Sequence, residues 1–157
     1  TTQVTNMAYL FDKKYTFNEK LDTFDTSNVL YMNSMFEDAS SFNQSLSNFN
    51  TSKVRTMHNM FYDASSFNQS LSNFDTSIVT NMHHMFVWAS SFNQSLSDFD
   101  TSIVSSMEGM FEDATNFNQD LSSWDWKLSS ITNCNRFDRN SISWSLSKPN
   151  FIISCDP

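Results

Sequence analysis

Apolar side chains occupy fixed places in a frame that recurs every 25 residues. Met32, Met57, Met82 and Met107 share one column, Met35/Met60/Met85/Met110 a second, and Phe36/Phe61/Phe86/Phe111 a third beside it. Further columns hold Ala39/Ala64/Ala89/Ala114, Phe42/Phe67/Phe92/Phe117, Leu46/Leu71/Leu96/Leu121 and Phe49/Phe74/Phe99/Trp124. Val4, Met7, Leu10, Phe11, Phe17, Leu21 and Phe24 carry the frame back to the start, so five frames fill residues 1–125. Repetition at this period is the mark of a solenoid, in which successive turns of chain bury one continuous apolar column. Within a frame, Val79, Met82, Met85, Phe86 and Ala89 fall at helical spacing and predict a short helix. Asp75, Thr76 and Ser77 before it are candidate caps. Phe92 and Leu96 share strand parity, and Phe99 breaks it, which predicts a short strand and then a bend. The expectation is an α/β solenoid with one short parallel strand and one short helix per 25-residue coil, its strands about 4.8 Å apart.

Composition narrows the picture. The 157 residues suit one domain with a narrow core. With one Gly (Gly109) and two Pro (Pro149, Pro157), the bends must be made by Asp, Asn, Ser and Thr. A net charge of −8 argues against nucleic acid or an anionic membrane as partner, because both demand clustered Lys and Arg. No apolar run reaches transmembrane length and no signal-peptide pattern is present, so the chain reads as a mature or excised piece.

The text M-F-x-D-A-S-S-F-N-Q-S-L-S-N-F-D-T-S, followed by x-V-x-x-M, resembles the 25-residue repeat of bacterial-type surface proteins grouped with the BspA-like leucine-rich repeats. The resemblance runs over residues 1–125. It implies a leucine-rich-repeat-like solenoid in a secreted or surface-anchored protein, with adhesion and binding as the suggested role, and no catalytic residues. The family commonly has N-Q-D where this chain has Asn43-Gln44-Ser45, Asn68-Gln69-Ser70 and Asn93-Gln94-Ser95, while Asn118-Gln119-Asp120 keeps the family form.

That departure makes Asn43, Asn68 and Asn93 candidate N-glycosylation sites, and Asn50-Thr51-Ser52 adds Asn50. A chain rich in Asn, Ser and Thr also produces such triplets by chance. The pairs Thr26-Ser27, Thr51-Ser52, Thr76-Ser77 and Thr101-Ser102 read as turn chemistry on an outward corner, with O-glycosylation or an ordered hydroxyl ladder as sharper alternatives. Asp25, Asn50, Asp75, Asp100 and Asp125 form an acidic column, read as caps ahead of a calcium site. His58 and His83, with His84 beside the latter, read as a solvated face and not as a zinc site, since no Cys or acidic partner repeats with them. Nothing matches a catalytic triad, a phosphate loop or a paired acid and base, so no enzyme activity, cofactor or metal is expected.

Both ends depart from the frame. After Trp124-Asp125-Trp126 it slips by two residues, with Ile131, Cys134 and Phe137 replacing Val, Met and Met or Phe. Residues 126–157 are read as a degenerate cap shielding the last coil. Cys134 and Cys155, the only cysteines, are read as a disulfide closing it, worth roughly 3 kcal/mol and placing the protein outside the cytosol. The alternative is a pair of buried thiols. At the start, Thr1 to Val4 begin in mid-frame with no cap, which suggests further coils upstream or a second molecule stacked there. The functional expectation is a non-enzymatic, extracellular, cell-surface repeat protein that binds a protein or carbohydrate ligand. The alternative is a structural protomer of a head-to-tail fibre, with N-linked glycans along one edge.

Overall fold

The computed structural model describes residues 3–124 and 130–155. The apolar columns are stacked as the repeat demands. Phe17, Phe42, Phe67, Phe92 and Phe117 form one file with ring centroids 5.8–5.9 Å apart. Phe11, Phe36, Phe61, Phe86 and Phe111 form a second at 5.5–5.6 Å. Inside each coil the two files touch at 4.1–4.2 Å with nearly parallel planes. From the second coil onward these rings are fully buried, as are the Met columns beside them. Each such ring contributes about 1.5–3 kcal/mol by leaving water, and parallel offset stacking adds to it.

The expected α/β architecture is absent. No α-helix and no continuous strand occurs among the described residues, so the chain is not a leucine-rich-repeat-type solenoid with a strand and a helix per coil. The coils are built of consecutive tight turns. Where the helix was expected, amides alternate between two destinations. Met60, Tyr62 and Ala64 donate three residues back, to the carbonyls of Met57, Asn59 and Phe61. Met57, Asn59, Phe61 and Asp63 donate to the next coil, to the carbonyls of Asn81, His83, Met85 and Val87, at 2.8–3.1 Å. The first five coils all show the pattern.

The backbone explains why this arrangement displaces a helix. Two residues per coil, four apart, have positive φ: Ser34 and Asp38, Asn59 and Asp63, His84 and Trp88, Gly109 and Asp113. A helix needs φ near −63° throughout, so a left-handed residue every fourth position stops it after one turn and aims the next amide at the neighbouring coil. Asn, Asp, Ser and Gly accept that conformation at least cost or compete with the helix for hydrogen bonds. The apolar spacing that imitated a helix belongs to the turns. Many of the three-residue bonds join two core residues, as in Met57/Met60, Phe61/Ala64, Ala64/Phe67 and Leu71/Phe74.

The expected strand is also replaced. Between Phe67 and Leu71 no backbone ladder joins the coils. Asparagine side chains do so: Asn43 Oδ1 accepts the Asn68 amide at 3.0 Å and Gln69 Nε2 at 2.9 Å. Parallel pairing survives only as isolated bridges at Asn6, Tyr31, Thr56, Asn81, Ser106 and Asn133, one per coil, at the place where the helix was expected to begin.

The last bridge spans 27 residues instead of 25, which is the two-residue slip. Ile131, Cys134 and Phe137 then take the Val, Met and second Met columns and are buried. Trp144 lies 27 residues beyond Phe117 and closes both ring files edge-on, 4.7 Å from Phe117 and 5.3 Å from Phe111, at about 80°. Asp125 and Trp126, where the slip begins, lie outside the described residues.

Candidate functional site

The sequon columns sit in the inter-coil ladder. Oδ1 of Asn18, Asn43, Asn68 and Asn93 each accepts the amide of the Asn one coil on and the Nε2 of the adjoining Gln. Asn118 ends the ladder by accepting the amides of Ser145 and Leu146 at 2.8 and 3.0 Å. The recurring Asn-Gln pair is therefore structural whether or not it is modified. Asn43, Asn50 and Asn93 are exposed, and Asn68 is half-buried. The serine that completes three sequons also has a local part. Ser45, Ser70 and Ser95 each accept the amide two residues on at 3.3 Å, where Asp120 in the N-Q-D coil accepts at 2.9 Å.

The Thr-Ser corner is not the outward hydroxyl ladder weighed as an alternative to turn chemistry. Thr26, Thr51, Thr76 and Thr101 are buried. Thr26, Thr51 and Thr76 hydroxyls donate across to the carbonyls of Asn50, Asp75 and Asp100 at 3.0–3.1 Å. Only the Ser partner faces out. In these three coils the hydroxyl completes a bond between coils, which removes it from any ladder that water or sugar could meet, while Thr101 Oγ1 is buried without such a bond.

The acidic column does cap, though it caps turns and not helices. Asp25, Asn50, Asp75 and Asp100 each accept the amide of the serine two residues later at 3.0 Å. Those serine hydrogen bonds hold the Asp25 and Asp75 carboxyls below the usual range. No cluster of three or more His, Cys, Asp or Glu suited to a metal occurs among the described residues, and Asp125 lies outside them.

His58 and His83 are not simply solvated. They are half-buried and stacked face to face, 4.7 Å between centroids, with His84 edge-on to His83 at 5.1 Å. Their Nδ1 atoms lie 2.8 Å from Thr56 Oγ1 and 2.9 Å from Asn81 Oδ1. Burial lowers both pKa values, and mutual proximity lowers His83 further.

Cys134 and Cys155 form the expected disulfide, with Cα atoms 4.8 Å apart. Cys134 is fully buried in a methionine column, so the bond ties the tail to the core, and the Arg136 amide donates to the Cys155 carbonyl at 3.1 Å.

Two concavities were not foreseen. One, of about 660 Å³, lies on the first coil and is lined by Leu10, Phe11, Tyr15 and Phe17 together with Lys13 and Lys14. The other, of about 220 Å³, crosses the third to sixth coils and is lined by Tyr62, His84, Val87, Trp88, Glu112 and Arg136. Trp88 is half-exposed; its Nε1 donates to Asp113 Oδ2 at 3.2 Å and its ring meets Tyr62 edge-on at 5.2 Å. Burial pushes the Tyr62 phenol up, and the charges of Asp38, Glu37, Asp63 and Glu112 add to that. The signal for this cleft was present in the repeat, as departures of the outward columns from their usual Asp, Glu, Asn and Ser.

No curated protein and no solved structure matches the chain. A family model matches residues 1–86 and again 70–151, so that the second match includes the disulfide-bearing coil up to Phe151. The chain therefore belongs to the DUF285 family, described as Mycoplasma protein of unknown function.

Proposed function

We propose that this chain is a non-enzymatic portion of an extracellular cell-surface protein, and that its regular flank is a contact surface for adhesion or binding. The observation that carries the reading is the uniform outer face. The Asn-Gln ladder runs unbroken from Asn18 to Asn118, so a ligand meets the same polar groups at every coil. The Cys134–Cys155 bond supports an oxidising location. The likeness of the repeat to BspA-like surface proteins points the same way, independently of the leucine-rich-repeat fold that this chain lacks. N-linked glycans at Asn43, Asn50, Asn68 or Asn93 belong to the same proposal. Antibody labelling of intact source cells tests the location, and labelling only after permeabilisation overturns it. Beads coated with the protein should attach to cultured host cells more than albumin-coated beads, and equal attachment removes the adhesive role.

A further inference from the structure

We propose that the cleft between Tyr62, Trp88 and Arg136 binds a single neutral pyranose ring, with the indole of Trp88 as the platform. This goes beyond the contact flank proposed above, because the cleft is lined by other columns than the Asn-Gln ladder.

The first observation is that two columns leave the repeat pattern at the same spot, beside a third that differs in every coil. Trp88 stands in a column that otherwise reads Lys13, Asp38, Asp63 and Asp113. Tyr62 and Val87 interrupt Asp12, Glu37 and Glu112. His84, Gly109 and Arg136 follow Tyr9, Ser34 and Asn59. In a chain that copies itself so closely elsewhere, coincident departures around one cleft mark a local requirement, since nothing in the stacking changes there.

Backbone strain is the second. Trp88 and Arg136 both sit at φ +55°, a left-handed conformation that bulky side chains rarely adopt; the coils on either side of Trp88 fill it with Asp63 and Asp113, and the coil before Arg136 fills it with Gly109. Half of the Trp88 side chain remains in water, so core packing does not repay that strain. Gly109, the chain's single glycine, lies between His84 and Arg136 in the column. A Cβ there would come 2.6 Å from His84 Cδ2, so glycine makes room for the imidazole in the cleft.

Chemistry then selects the occupant. The lining offers an exposed aromatic face, a carboxylate at Glu112, a guanidinium at Arg136 and an imidazole at His84. A cation would meet Arg136. An anion would meet Glu112, with Asp38, Asp63 and Asp113 close by. A neutral ring bearing hydroxyls meets donors and acceptors together, and its axial C–H face suits the indole. At about 220 Å³ the cleft is below the roughly 300–1,000 Å³ of drug-sized sites and suits one sugar unit.

The test is saturation-transfer NMR on the whole chain with methyl glycosides of glucose, galactose, mannose and N-acetylglucosamine, beside tetramethylammonium and sialic acid. At least one neutral glycoside should receive saturation and shift the Trp88 indole resonance. Trp88→Asp and Tyr62→Glu restore the residues of neighbouring coils, so the fold should survive, as melting would confirm, while affinity falls at least tenfold. No transfer to any neutral glycoside overturns the proposal, as does unchanged affinity in Trp88→Asp or tighter binding of either charged probe. If no neutral glycoside binds but wild-type beads still attach to cells, the sugar cleft fails while adhesion stands. If wild-type beads never attach but the glycoside binds, the reverse holds.

Discussion

The coils of residues 26–124 and the segment of residues 130–155 shield the same ring files by different means. In the interior, each coil covers its neighbour with a copy of itself: rings lie parallel, amides cross to the next coil, and an asparagine ladder closes the outer edge. At the end no copy follows. Trp144 turns perpendicular to Phe111 and Phe117 and anchors its Nε1 on the Gln119 carbonyl at 2.9 Å. Phe151 packs edge-on against Phe137, and the disulfide ties this tail to a methionine column. Repetition is thus a sufficient packing code only while another repeat follows, and the terminal coil needs bulk, a change of ring orientation and a covalent link.

The largest effect expected is that of breaking a file inside the stack. Phe67 touches Phe61 at 4.1 Å and Phe42 and Phe92 at 5.9 Å, and is fully buried. Phe67→Ala should cost about 3–5 kcal/mol, read from urea unfolding followed by circular dichroism, because neighbouring coils cannot collapse into the gap without losing register. Next comes the staple at the end. Replacing Cys134 and Cys155 with Ser should cost roughly 3 kcal/mol. Hydrogen exchange should locate the loss in residues 130–155 with the interior amides still protected. Exchange that rises evenly along the chain would erase the distinction between the two regions.

A smaller loss is expected from one rung of the ladder. Asn68→Ala removes the acceptor of the Asn93 amide and of Gln94 Nε2, at 3.0 and 2.9 Å. About 1–2 kcal/mol should go, since the site is half-open and water replaces part of what is lost. Asn118→Ala removes the acceptor of the Ser145 and Leu146 amides instead, and should raise exchange in the terminal segment more than in the coils.

The parts that were legible in the sequence are those that depend on the period alone. The stacked files, the buried columns, the two-residue slip and the cysteine pair all follow from which residue lies over which. The local backbone was not legible, because Met57, Met60, Phe61, Ala64 and Phe67 satisfy a run of tight turns as well as a helix. The discriminating residues were the outward ones: Asn59 and Asp63, and their counterparts Ser34 and Asp38, four apart and in a left-handed conformation. Read only as polar surface, they gave no warning. Thr26 and its column misled for a related reason, since a small polar side chain beside an Asp reads as outward until its hydroxyl is seen crossing to the next coil. The Trp88 cleft was visible as a break in two columns, but its meaning required knowing that those columns adjoin in space.

The smallest effect should come from protons, and it should reverse the order in which the two regions fail. Burial lowers the pKa of His58 and His83, with Glu37 and Glu108 pulling the other way and His84 adding to the depression. An imidazole whose folded pKa lies below its unfolded value takes up protons more readily when unfolded, so stability is complete above about pH 6.5 and declines as pH falls below it. Both groups are only half-buried, so screening keeps the effect modest. Asp38 and Asp63, whose carboxyls burial pushes up, bring the opposite dependence, but that begins only nearer their own range. Between pH 7 and 5.5 the melting temperature should therefore fall by a few degrees, and His58→Asn with His83→Asn should flatten the slope. Hydrogen exchange at pH 5.5 should show the third and fourth coils loosening before the disulfide-bearing end, because that stack lies wholly within the interior coils. A slope unchanged in the double variant would mean that the imidazole stack bears no part of the acid response, and that the interior resists protons as well as the stapled end does.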